Sequence, residues 1–169
     1  AAGLPAGLLH VLPGDATVGE AMIADPDIAM ISFTGSTAAG KRVGELASRH
    51  LKRVTLELGG KNSTIVLDDA DLDVAASSAA WGAYLHQGQI CMATGTVLAQ
   101  RKIARDLTER LVAKAKNLPV GDPSAGPCAL GPIINGRQIE RIDGIVRDAI
   151  AKGAVLRAGG TYEKLFYSP

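Results

Sequence analysis

The chain has 169 residues, 47% of them hydrophobic and 21% charged, enough to bury a globular core as one domain or as parts of two. Its 18 basic and 17 acidic residues leave a net charge of +1 and are interleaved, so neither nucleic acid nor an anionic membrane surface is expected as a partner. No run of about eighteen apolar residues is present, and Ala1 to Leu12 lack the basic start and cleavage pattern of a signal peptide, which together lead to a cytoplasmic expectation.

In chain order, Ile28 to Phe33 reads as a buried strand and Thr37 to His50 as the helix after it. Val54 to Leu58 and Thr64 to Leu67 read as further strands. Leu72, Ala75, Ala76, Ala79 and Ala80 recur at helical spacing, so a helix is predicted from Leu72 to about Leu85. Gly95 to Gln100 looks like a strand. Ile103, Leu107 and Leu111 mark one face of a helix ending near Asn117, and the prolines and glycines from Pro119 to Pro127 make a loop. Ile139, Ile142, Ile145, Val146 and Ile150 mark another helix, followed by a short strand at Ala154 to Leu156. Short apolar runs alternating with helical patterns predict an α/β protein with largely parallel strands. No internal repeat or low-complexity segment is visible. The chain has no initiating methionine and no closing element at Tyr167-Ser168-Pro169, so it reads as an excerpt of a longer protein.

Asp68, Asp69, Asp71 and Asp73 crowd together, and three of them match the first, third and fifth ligands of a calcium loop. Val74 stands where that loop needs Gly and Ala80 where it needs Glu, so these acids are expected to cap and charge the start of a helix, and no metal is expected. Two cysteines, Cys91 and Cys128, are too few for a disulfide scaffold.

Phe33-Thr34-Gly35-Ser36-Thr37-Ala38-Ala39-Gly40-Lys41-Arg42 follows a strand and opens a helix, where backbone N–H groups can face a phosphate. Taken alone it is ambiguous: Arg42 replaces the hydroxyl of a Walker A loop, the middle glycine of the dinucleotide fingerprint is missing, and a plain Gly-Ser turn capping a helix fits equally. Glu57 sits between Leu56 and Leu58 and ahead of Gly59 and Gly60, a setting that raises a carboxylate's pKa and suits a base near neutral pH; a single such Glu also fits an ion pair. Cys91, in His86-Gln87-Gly88-Gln89-Ile90-Cys91-Met92, is either a small hydrophobe or a nucleophile.

Together these residues resemble the aldehyde dehydrogenase superfamily, from Leu8 to Pro169. Phe33 to Thr37 with Gly40 is similar to its cofactor loop, Leu56 to Lys61 to its glutamate motif, and Gly88 to Cys91 to its cysteine motif. The separation of Glu57 and Cys91, 91 minus 57 or 34 residues, also agrees, as does Leu130-Gly131-Pro132-Ile133-Ile134. The resemblance implies parts of two Rossmann-like three-layer domains: residues 1–59 as the C-terminal part of a coenzyme-binding domain and 60–169 as the N-terminal part of a catalytic domain. It implies Cys91 as nucleophile, Glu57 as base, and NAD or NADP held near Phe33, Gly35, Ser36, Gly40, Leu58 and Gly59. The oxyanion Asn, a downstream Glu-x-Phe segment and the residues that choose between NAD and NADP would lie outside this chain. The family commonly has Arg where Thr96 stands.

Within the family, Leu85 to Met92, Gly159 to Tyr162 and Leu165 to Tyr167 look most like the benzaldehyde, salicylaldehyde and vanillin dehydrogenase branch. Trp81 and Leu85 share a helical face and Ile90 and Met92 flank Cys91, so these four are expected to wall a pocket for an aromatic aldehyde, although Trp81 and Leu85 also fit plain core. The parent is expected to be a homo-oligomer. A CoA-acylating relative and a catalytically silent one are the alternatives, and Glu57 and Cys91 weigh against them.

Overall fold

The computed structural model describes residues 3–169. It is α/β and divides into two compact units, Ala1–Gly59 and Gly60–Pro169, each built around one parallel strand–helix–strand turn.

In the first unit α1 spans Ala16–Ala24, β1 Met30–Gly35, α2 Thr37–Arg49 and β2 Arg53–Leu58. The Asp15 carboxylate caps α1 by accepting from the Thr17 N–H at 2.9 Å, and the Ser36 hydroxyl caps α2 by accepting from the Ala39 N–H at 3.2 Å. Both side chains satisfy an N–H that has no partner within its helix. β1 and β2 pair in parallel, from Met30 opposite Arg53 to Gly35 opposite Leu58. The period-two alternation turns Ile31, Phe33, Leu56 and Leu58 inward and leaves Met30, Ser32, Thr34 and Glu57 exposed. Gly40 brings α2 down onto β2: a Cβ there would lie 2.4 Å from Leu58 Cδ2.

In the second unit β3 spans Asn62–Val66, α3 Leu72–Tyr84, β4 Thr94–Ala99, α4 Ala104–Lys116 and α5 Gly136–Ala151. β3 and β4 are parallel, with a register shift between Asn62 and Ser63. Val66, Ala76, Ile103 and Leu107 form the buried core, with Leu72, Ala75, Val97 and Leu111 packed around it. The opposite sheet face carries Ile65 and Leu98, 70% and 52% exposed. Asp71 caps α3, accepting from the N–H groups of Asp73 and Val74 at 2.9 and 3.1 Å. Asp68 pairs with Lys102 at 2.8 Å and Asp73 with Arg110, so three of the four clustered acids are engaged as cap and ion pairs. A short antiparallel hairpin, β5 Tyr162–Glu163 and β6 Phe166–Tyr167, stacks Tyr162 on Tyr167 with ring centroids 5.7 Å apart. Among the described residues no helix is long and apolar enough to cross a membrane.

Most predicted elements are present within a few residues; β1 begins and ends two residues later than expected. Ala154 to Leu156 is not a strand. A strand needs a neighbour for its N–H and C=O groups, and among the described residues nothing pairs with this segment as a ladder. The helix α1 and the β5–β6 hairpin have no counterpart in the sequence reading.

Candidate active site

After α3 the chain turns left-handed for three residues, with φ of 50° at His86, 57° at Gln87 and 69° at Gly88. Side chains are strained in this region. Glycine meets the need at 88, where a Cβ would also lie 3.1 Å from the Ala83 carbonyl oxygen. A second turn follows at once: the Ala93 N–H donates to the Ile90 carbonyl at 3.1 Å, which makes Cys91 and Met92 its two central residues. Cys91 is exposed, whereas Cys128 is half-buried.

Three amide side chains hold this segment, and none of them was singled out from the sequence. Gln89 Oε1 accepts from the Ile134 N–H at 2.9 Å. The Gln87 amide, oriented so that both its atoms are satisfied, accepts from the Gly131 N–H at 2.6 Å and donates to the His86 carbonyl at 3.0 Å. Asn62 Nδ2 donates to the Cys91 carbonyl at 2.7 Å and to the Ala93 carbonyl at 3.2 Å.

Glu57 corrects one expectation. Its neighbours Leu56 and Leu58 turn toward α2, and the strand's alternation turns Glu57 the other way, so its side chain is exposed within its unit instead of embedded in apolar groups. Glu57 belongs to the first unit and Cys91 to the second.

The residues expected around a cofactor fall into two sets. Gly35 and Ser36 are exposed at the end of β1, and the N–H groups of Thr37 and Ala38 open α2 without intrahelical acceptors. With the positive end of the helix dipole they suit a phosphate. Gly35 also accommodates the Phe33 ring, because a Cβ there would lie 2.5 Å from its Cζ. Gly40 and Leu58, by contrast, are a packing pair between α2 and β2. Gly59 stands exposed with open space where a Cβ would be.

The four residues expected to wall an aromatic pocket are not all brought together. Trp81, 62% exposed, lines with Leu85, Tyr84 and Leu130 a cavity of about 570 Å³. Burial pushes the Tyr84 phenol above its ordinary pKa. Trp81 also lines, with Met92, Ser77 and Thr94, a second depression of about 600 Å³. Ile90 lines neither. Within this chain Trp81 is not buried.

The family model for the aldehyde dehydrogenase family matches residues 1–169. The chain is 57% identical over 166 residues to a vanillin dehydrogenase of Amycolatopsis sp. and 54% identical over 166 residues to a benzaldehyde dehydrogenase [NAD(+)] of Pseudomonas putida; each match covers 98% of this chain and 34% of the relative. A crystal structure of a salicylaldehyde dehydrogenase from Pseudomonas putida G7, complexed with salicylaldehyde, superposes with a TM-score of 0.86 at 43% identity, covering 90% of this chain and 32% of that one. The chain thus spans about a third of the length of the relatives it matches. With motifs, elements and relatives in agreement, it belongs to the aldehyde dehydrogenase family.

Proposed function

We propose that the chain is the nucleophile-bearing third of an enzyme that oxidises an aldehyde, aromatic by preference, to its carboxylic acid with NAD or NADP. The observation that carries this reading is Cys91 itself, an exposed thiol at the head of a turn pinned on both sides by amide side chains. A thiolate there adds to the aldehyde carbon and gives a thiohemiacetal whose oxyanion needs donors. The Cys91 N–H, which has no acceptor among the described residues, is one of them. Bound nicotinamide supplies the acceptor for the hydride that leaves the same carbon, and the product on Cys91 is a thioester. Glu57 takes a proton from water as that water attacks the thioester carbonyl, releasing the acid and the Cys91 thiolate. Gly35, Ser36 and the open N–H groups of α2 would hold the dinucleotide's phosphates, with Phe33, Gly40, Leu58 and Gly59 shaping that region. Trp81, with Leu85 on one side and Met92 on the other, would form the apolar side toward the substrate ring, and Ile90 adjoins the nucleophile in sequence only. The names of the vanillin, benzaldehyde and salicylaldehyde relatives support the aromatic preference, and the second of these names NAD. The enzyme is proposed to be a cytoplasmic homo-oligomer.

A chimera tests this, with the chain replacing the matching segment of the Amycolatopsis enzyme. Cys91→Ala should abolish oxidation. Glu57→Gln should release about one reduced cofactor per site in a burst and then stall, because only deacylation needs the base. Wild-type steady turnover in Glu57→Gln, or release that requires CoA, would overturn the role of Glu57. Benzaldehyde and vanillin should exceed acetaldehyde and hexanal in kcat/KM, and Trp81→Ala should narrow the difference; an unchanged ranking removes the pocket assignment alone.

A further inference from the structure

The turn that carries Cys91 is held from beneath by a residue with no part in the bond-making steps. Asn62 opens β3, 29 residues before the nucleophile, and its amide donates to the Cys91 carbonyl at 2.7 Å and the Ala93 carbonyl at 3.2 Å. An amide nitrogen has two hydrogens, and here each has its own carbonyl. One of the two fixes the peptide plane that leaves Cys91. The other fixes the residue whose N–H already closes the turn onto Ile90. Rotation of the turn about the Cys91 backbone would break at least one of these bonds.

The surroundings are shaped for this amide. β3 and β4 slip register between Asn62, opposite Thr94, and Ser63, opposite Thr96, so Gly95 is the extra residue of a bulge. Bulges redirect side chains and gather beside active sites. A Cβ on Gly95 would lie 2.5 Å from Lys61 Cδ, and one on Gly60 would lie 3.4 Å from Asn62 Oδ1. The first contact is with the flexible end of Lys61 and the second is an ordinary one, so the bulge rather than the glycines sets where the strand start lies. Asn62 is itself exposed, yet both hydrogens of its amide are taken by backbone carbonyls of the turn.

We infer that Asn62 is a positioning residue: its amide sets the orientation of the Cys91 turn, and so the aim of the thiolate and of the Cys91 N–H at the substrate carbonyl. This rests on the assignment of Cys91 as nucleophile. Small misplacements of a reacting group cost up to about a hundredfold in rate, so the effect should be seen in acylation, the step a burst reports, with folding nearly untouched.

The Glu57→Gln chimera, in which the thioester persists, is the parent for the test and carries in addition Asn62→Ala or, separately, Asn62→Asp. Asn62→Ala should slow the cofactor-reduction burst about 10- to 100-fold, keep about one burst equivalent per site, and shift Tm by no more than a few degrees. Asn62→Asp keeps the shape but presents a carboxylate to two carbonyls. Protonation restores one donor, so its burst rate relative to the parent should climb as pH falls from about 8 to 5. That ratio cancels the ionisation of the thiol itself. A burst within twofold of the parent in both variants overturns the inference, as does a flat ratio for Asn62→Asp; should Asn62→Ala fail to fold, the ratio decides alone. If Cys91→Ala remains active, the nucleophile assignment fails instead, and the two failures are distinguished.

Discussion

Gly40 packs α2 against the Leu58 side chain of β2, and its role there is steric. A Cβ would meet Leu58 Cδ2 at 2.4 Å, Cδ1 at 3.0 Å and Cγ at 3.3 Å, so most of the leucine side chain must move to admit one. Gly40→Val should destabilise the first unit by about 1–3 kcal/mol, the usual cost of overpacking. Leu58→Ala in the same chain should recover part of that loss, a coupling measurable by a double-mutant cycle in urea; strict additivity would show that the two do not share the space. Cys91, Glu57 and the Gly35-Ser36 turn could be picked out by eye because each stands in a short contiguous motif. Asn62 could not. Its contacts lie 29 and 31 residues away, and only the β3–β4 pairing and its bulge bring them near. The embedding expected for Glu57 failed for a local reason: apolar neighbours on a strand point to the face opposite its own.

At the scale of elements, the α1 cap responds to pH. The Asp15 carboxylate accepts from the Thr17 N–H, and that bond holds its pKa below the ordinary value of 3.8. Because the folded value is the lower one, the contribution is complete above the unfolded pKa and is lost as pH falls through the folded value. The Thr17 amide should therefore lose hydrogen-exchange protection below about pH 4, and Asp15→Asn, which keeps the cap, should abolish that dependence. Equal protection of the wild type at pH 2 and pH 6 would contradict the role of the cap. This helix was invisible to periodicity because Ala16–Ala24 mixes small and apolar residues round its circumference and buries only Ile23. Helices with a one-sided pattern, such as α4 and α5, were readable. The hairpin was missed because two residues per strand are too few for alternation to register, and the Tyr162–Tyr167 stack joins residues five apart that only the turn brings together. The opposite error at Ala154 to Leu156 arose because an apolar extended run has no strand status until another strand lies beside it.

For the molecule as a whole, surface area is the informative quantity. The described chain exposes 11979 Å², whereas two independent globules of these sizes would together expose about 9,400 Å². Part of the excess is apolar, including Ile65 and Leu98 on the open face of the β3–β4 sheet and Ile134 at 73% exposure. Surfaces of this kind mark interfaces or aggregation liabilities. Expressed alone, the 169-residue chain should bind a hydrophobic dye and self-associate as concentration rises, and should show no aldehyde-dependent cofactor reduction. A monodisperse, dye-silent monomer in analytical ultracentrifugation would refute this, and Cys91-dependent turnover by the isolated chain would refute the second part. The fold class was legible because strand–helix alternation is a local property. How much of each face stays uncovered was not, since it depends on which strands find neighbours.

Trp81 gives the protein a built-in optical reporter. It is the sole tryptophan of these 169 residues, is 62% exposed on the helix that leads into the Cys91 turn, and borders two depressions at once. All indole fluorescence of the isolated 169-residue chain therefore comes from one known place. Its emission should be that of a hydrated indole in the isolated chain and move to the blue when apolar groups cover it, so occupancy beside the nucleophile can be followed by light alone, without a label and without turnover.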